Sequence, residues 1–185
     1  MRELVSVATD GAELFVDGRV LRLDGLAPGR DYEVAGVAFR TMDGLGTRRC
    51  TFATANDVHF GETVCGLLEG AHDHKVFRSE PGATPYPEVM SAAVVADVAG
   101  NTHRNRCRWV GGVALAEVAC VKDFPGAWAE YHVHERGIAQ VVRRAMAPAA
   151  VAWAERTRAM FAGHYAAYAM GRLEDRAFVV PTPSP

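Results

Sequence analysis

The chain has 185 residues, 49% hydrophobic and 23% charged, which suits one globular domain with a sizeable core and at most a small appendage. A formal net charge of −2 points neither to nucleic acid nor to an anionic membrane as a partner. The cluster Arg104, Arg106 and Arg108 is short enough to be a solvated strand edge.

Met1–Asp10 lacks the apolar core of a secretory leader, and no later run approaches the ~18 apolar residues of a membrane span. A cytoplasmic protein with no membrane partner is expected. Asp10-Gly11 and Asp17-Gly18 are hairpin dipeptides set between alternating apolar positions: Val5, Val7, Leu14, Val16, Leu21 and Leu23. The run Leu26-Ala27-Pro28-Gly29-Arg30-Asp31-Tyr32, followed by Val34, Val37 and Phe39, has the spacing of a tyrosine corner, whose phenol reaches back to the backbone. Residues 1–50 are therefore expected to form a small all-β segment of fibronectin or Ig type, packed on the rest of the chain.

Cys50–Thr54 is β-rich and predicts a buried strand ending in a loop at Asn56-Asp57. Residues 61–87, rich in Gly, Pro and His, predict an extended loop, and Pro87–Ala99 predicts a helix with Val89, Met90, Ala93, Val94 and Val98 on one face. Val110–Val121 has the character of a glycine-containing strand region. Trp128–Val133 and Ile138–Val142 flank a hairpin turn at Glu135-Arg136-Gly137. Pro148 opens a helix with Trp153, Met160, Phe161, His164 and Tyr168 on or near one stripe, where His164 is expected to pack partly buried. Residues 181–185, with three prolines, are expected to fray as a disordered tail. Cys50, Cys65, Cys107 and Cys120 form no C-x-x-C pair, so free thiols are expected.

Asp57 and His59 are two apart at the mouth of a strand, so an extended backbone projects them to one side. A carboxylate beside an imidazole can hold a divalent cation such as Mn, Fe, Zn or Mg. His72 and His74, and His132 and His134, share that spacing; the first pair suits a solvated loop and the second an exposed strand face. Gly-x-Ser-x-Gly is absent and Gly111-Gly112 is too short for a phosphate loop, so nucleophilic acyl chemistry has no support.

The strand running into Asn56-Asp57-Val58-His59-Phe60-Gly61 resembles the opening D-x-H motif of the calcineurin-like metallophosphoesterases. Ala99-Gly100-Asn101-Thr102-His103 resembles that family's closing G-H-x-H motif, and Val118–Trp128 with its hairpin resembles the family's C-terminal strands. The resemblance runs from about Phe52 to Val180. It implies an α/β fold: a shortened metallophosphoesterase-type layered α/β sandwich over residues 51–180, behind the N-terminal β segment. It also implies a metal-dependent phosphoester hydrolase with a phosphoester substrate, in which Asp57, His59 and His103 are the remaining metal ligands.

The interval between the motifs is short. The family carries there a bridging aspartate, an asparagine with a catalytic histidine, and a further histidine, each at its own strand end. Only 44 positions separate His59 from His103, whereas one β-α-β unit takes ~30 or more residues. Asn101 stands where the first histidine of the closing motif belongs. One divalent ion at most is therefore implied, with no catalytic residue assigned and with Asp97 as an ordinary helix-surface carboxylate. The alternative is a catalytically inactive remnant that serves as a binding or interaction module, or has no function. Loss of central strands would also leave open sheet edges, which favour a homo-oligomer.

Overall fold

The computed structural model describes residues 1–55, 64–65, 77–85, 104–110 and 112–182. They form a strand-rich α/β arrangement with few helices, whose ladders are all antiparallel.

Strands β1 (Arg2–Val7), β2 (Gly11–Val16) and β3 (Arg19–Asp24) make a sheet in chain order. The β2–β3 turn sits on Asp17 and Gly18, at φ 48° and 85°. Two left-handed residues are what a tight hairpin matching the strand twist requires. A second hairpin pairs β4 (Asp31–Val34) with β5 (Val37–Arg40). The Tyr32 phenol oxygen accepts the Ala27 N–H at 2.8 Å, and the ring stacks on Phe39 with centroids 5.7 Å apart. Phe39 joins Val7, Ala12 and Leu14 in a buried cluster.

The largest sheet has the order β13-β12-β11-β6, from Ala177–Pro181, Gly137–Arg144, Ala127–His134 and Arg48–Ala55. Side chains alternate between its faces. Trp128, Glu130, His132 and His134 share one face with Val141, Arg143 and Ala177; Tyr131 and Gln140 share the other with Phe52 and Phe178. The N-terminal strands cover the first face. Ala177 packs into the Val7–Leu14–Phe39 cluster, the Arg22 guanidinium lies 5.8 Å from the Trp128 ring centroid, and Glu13 accepts the Arg144 N–H at 2.7 Å. A hairpin of β9 (Arg106–Val110) and β10 (Val113–Glu117) stands apart, as does a two-residue ladder of β7 (Val64–Cys65) with β8 (Phe77–Arg78). Helices α1 (Pro148–Thr157), α2 (His164–Met170) and α3 (Leu173–Arg176) follow the large sheet's central hairpin.

Several expectations change. β6 is an edge strand, so Cys50, Thr51 and Phe52 are exposed where a buried strand was expected. The 61–87 stretch contributes β7 and β8 rather than loop alone. Gly112, at φ 82°, belongs to the β9–β10 turn and not to a continuous strand. The helix begun at Pro148 stops early, because Phe161, Ala162 and Gly163 follow at φ 51°, 54° and 87° and left-handed residues cannot continue it. His164, at the start of α2, is exposed. His132 and His134 are buried, because the N-terminal segment covers their face. The expected 87–99 helix and most of the tail lie outside the described residues. Cys50, Cys107 and Cys120 are free thiols. Among the described residues, no helix is long and apolar enough to cross a membrane.

Candidate functional site

Asp57, His59 and His103 lie outside the described residues, as do Asp97, Asn101, His72 and His74. The structure describes the frame on either side of the two motifs. β6 carries the chain to Ala55, which is in register with Trp128 at the start of β11. Asp57 follows two residues later in sequence. On the other side, Asn105 comes two residues after His103 and is buried. Its amide nitrogen donates to the carbonyls of Ala169 and Met170 at 3.0 and 3.3 Å, while its amide oxygen accepts the Ala119 N–H at 3.0 Å. The Asn105 backbone N–H donates to Ala169 as well, at 2.9 Å. Gly171, at φ 62°, follows this anchor, and a side chain there would collide with the Asn105 carbonyl.

Both flanks meet one stretch of chain, the loop of residues 118–126 and the start of β11 that follows it. Ala119 holds Asn105, and the Ala127 N–H donates to the Cys120 carbonyl at 3.1 Å, next to Trp128, the partner of Ala55. The loop is buried along its length, and its polar backbone atoms are satisfied one at a time. Thr157 Oγ1 accepts the Phe124 N–H at 2.9 Å, and Trp153 Nε1 donates to the Lys122 carbonyl at 2.9 Å. Arg144 Nε donates to the Pro125 carbonyl at 2.8 Å, with its guanidinium between the rings of Phe15 and Phe124.

Inside this loop is a small polar cluster. The Tyr165 hydroxyl donates to Asp123 Oδ1 at 2.8 Å, and the Cys120 thiol donates to the same oxygen. Burial, then the neighbouring Asp123 carboxylate, pushes the Cys120 thiol well above its ordinary range. Burial likewise pushes up the Tyr165 phenol, with Cys120 and Asp123 adding to it. Both groups stay protonated and act as donors, so Cys120 is a structural thiol and not a nucleophile. Sequence reasoning missed Asn105, Cys120, Asp123 and Tyr165. The one available signal was Asp123 three residues from Cys120 within the apolar run Val118–Phe124.

His132 and His134 belong to a different arrangement, the seam between the large sheet and the N-terminal strands. Glu130 Oε2 accepts Arg143 Nη2 at 2.6 Å and Nε at 2.7 Å, and His132 Nε2 lies 3.1 Å away. Burial alone would raise the Glu130 carboxyl, but His132 and Arg143 outweigh it and hold the group at about 2. A cation there would meet the Arg143 guanidinium, so this is a salt-bridged seam and not a metal pair. Glu13 closes it from the opposite side, accepting Arg22 at 3.0 and 3.1 Å; burial raises its carboxyl, with Arg22 and Arg143 opposing. Among the described residues, no group of three or more His, Cys, Asp or Glu could hold a metal ion.

The chain matches no family model, no curated protein and no solved structure.

Proposed function

We propose that the chain is a divalent-metal phosphoester hydrolase of reduced machinery, with Asp57, His59 and His103 as its metal ligands. One carboxylate and two imidazoles suit Mn, Fe or Zn, and three protein ligands leave a coordination position open for substrate. The observation that carries the proposal is the common anchorage of the residues flanking the two motifs: Asn105 is held by the 118–126 loop, and Ala55 pairs with Trp128, two residues beyond that loop. A bound ion would supply Lewis-acid polarisation of a phosphoryl oxygen. The chain's own part is positional. Asn105 fixes the backbone after His103, and the ion pair of Arg104 with Glu117, at 2.6 and 3.3 Å, holds the residue between them. The layered metallophosphoesterase sandwich is part of the same proposal. It is supported by β6 pairing with β11 in the sheet that also holds β12 and β13, so that both ends of the resembling stretch share one sheet.

A binding module without catalysis is the second reading, favoured by the 44-position interval that omits a bridging aspartate. Metal analysis and Mn-stimulated hydrolysis of a bis-aryl phosphate separate the two. A hydrolase should carry roughly one ion per chain and turn over, with both properties lost in His103→Ala. Substoichiometric metal together with no Mn-stimulated turnover leaves the binding module.

A further inference from the structure

The β9–β10 hairpin ends in an apolar tip. Val110 is in register with Val113 there, and Leu115 with Arg108 one step back. Cross-strand partners share a face and successive residues alternate, so Val110, Val113 and Leu115 lie on one face. Trp109 pairs with Ala114 and points to the other. All four are open to solvent: Trp109 is 50% exposed, Val110 59%, Val113 60% and Leu115 46%. Exposed apolar surface of this kind marks contact with another protein or with a membrane. A packed protein element covers one face of a two-stranded ribbon, whereas a fluid apolar medium surrounds both. Exposure on both faces therefore favours lipid.

Behind the tip the hairpin is cationic. From Arg104 to Glu117 the sequence holds three arginines and one glutamate, a net charge of +2. Arg104 takes up the Glu117 carboxylate at 2.6 and 3.3 Å, and Arg108 reaches it only at 3.5 Å. The acidic groups of α3 do not cancel this excess: Glu174 and Asp175 lie 4.0 and 3.4 Å from Arg172. At ~3.3 Å per strand residue, Arg108 sits ~7 Å behind Val110, within the ~5–10 Å to which interfacial elements sink. Tryptophan favours that boundary, and arginines beside it are drawn to anionic headgroups. The whole-chain charge of −2 does not report this local excess.

We infer that the β9–β10 hairpin inserts its apolar tip into the interface of an anionic phospholipid surface, with Arg106 and Arg108 toward the headgroup phosphates. This contact involves none of the proposed metal ligands and does not depend on hydrolysis.

The test is binding of the full chain, in EDTA, to phosphatidylcholine vesicles with and without phosphatidylserine, read by co-sedimentation and tryptophan emission. Trp128 and Trp153 are buried, so a change in emission reports Trp109. Saturable binding to the phosphatidylserine vesicles is expected, with a blue shift and with weakening as salt is raised. Arg106→Ala combined with Arg108→Ala should weaken binding at least about tenfold. Trp109→Ser should abolish the blue shift, and Val110→Ser combined with Val113→Ser should reduce it. His103→Ala should bind like the unmodified chain, so a failure of hydrolysis leaves this result standing. Absence of binding, equal binding to pure phosphatidylcholine, or binding without a blue shift would overturn the inference. So would a Trp109 already shielded from acrylamide in the lipid-free chain, because the tip would then be covered by the chain itself or by a second copy.

Discussion

The two faces of the β13-β12-β11-β6 sheet come from the same strands and are buried by opposite means. One face carries Glu130, His132 and Arg143, residue types that ordinarily face water, and it is closed: His132 is 1% exposed and Arg143 is 4%. The other carries Phe52, Tyr131, Ile138 and Phe178, ordinarily core residues, and it is partly open beneath the β9–β10 hairpin. Trp109, Val110, Val113 and Leu115 of that hairpin are themselves exposed. Residue polarity therefore does not decide which face is sealed. The covering element does: Glu13 of β2 pairs with Arg22 of β3, accepts the Arg144 N–H and lies in the field of Arg143.

The severest way to break that contrast is to remove a seam partner. Glu13→Ala should cost about 2–4 kcal/mol, because it leaves the part-buried Arg22 guanidinium and the buried Arg144 N–H without their acceptor. Glu13→Gln, which keeps an acceptor oxygen, should cost far less. Denaturant unfolding of the two variants measures the difference. Equal losses would mean that the seam depends on shape and not on the pairing.

The features readable in the sequence were those governed by neighbours in the chain. Asp17-Gly18 specifies its turn through its own backbone preferences, and Tyr32 reaches Ala27 five residues away. The Glu135-Arg136 turn and the helix start at Pro148 were equally local. Alternation along β11 separated two faces correctly in period, but could not say which would be covered. His132 and His134 were therefore expected on an exposed face, whereas the N-terminal segment covers it, with the Gly46 carbonyl 3.1 Å from His134 Nδ1. The loop cluster was illegible for the same reason: Tyr165 is 42 residues from Asp123, and Asn105 is 64 from Ala169. The D-x-H and closing motifs are local in sequence, but their residues lie outside those described.

Acid and alkali should attack different regions. Glu130 is held at about 2, below its ordinary 4.5. Its contribution is present above pH 4.5 and is lost as pH falls toward 2. Glu13, raised by burial, contributes with the opposite sign, so Glu130→Gln is the variant that isolates the seam's acid limb. Cys120 is pushed above its ordinary 9.0, so its contribution is intact below that pH and lost as pH climbs beyond it. Stability measured against pH should flatten on the acid side in Glu130→Gln and on the alkaline side in Cys120→Ala. A single variant that altered both limbs would show that the seam and the 118–126 loop titrate as one unit.

The smallest effect has the opposite sign. Gln140 occupies the open face as Glu130 occupies the closed one, but its amide atoms have no partner among the described residues. Replacing it with leucine removes an unsatisfied buried polar group and extends the apolar row of Phe52, Tyr131 and Phe178. Gln140→Leu should therefore stabilise the ligand-free chain by about 1–2 kcal/mol in urea unfolding, whereas polar deletions in the seam destabilise it. A loss of stability on this substitution would instead place Gln140 among the ordinary packing residues of the sheet.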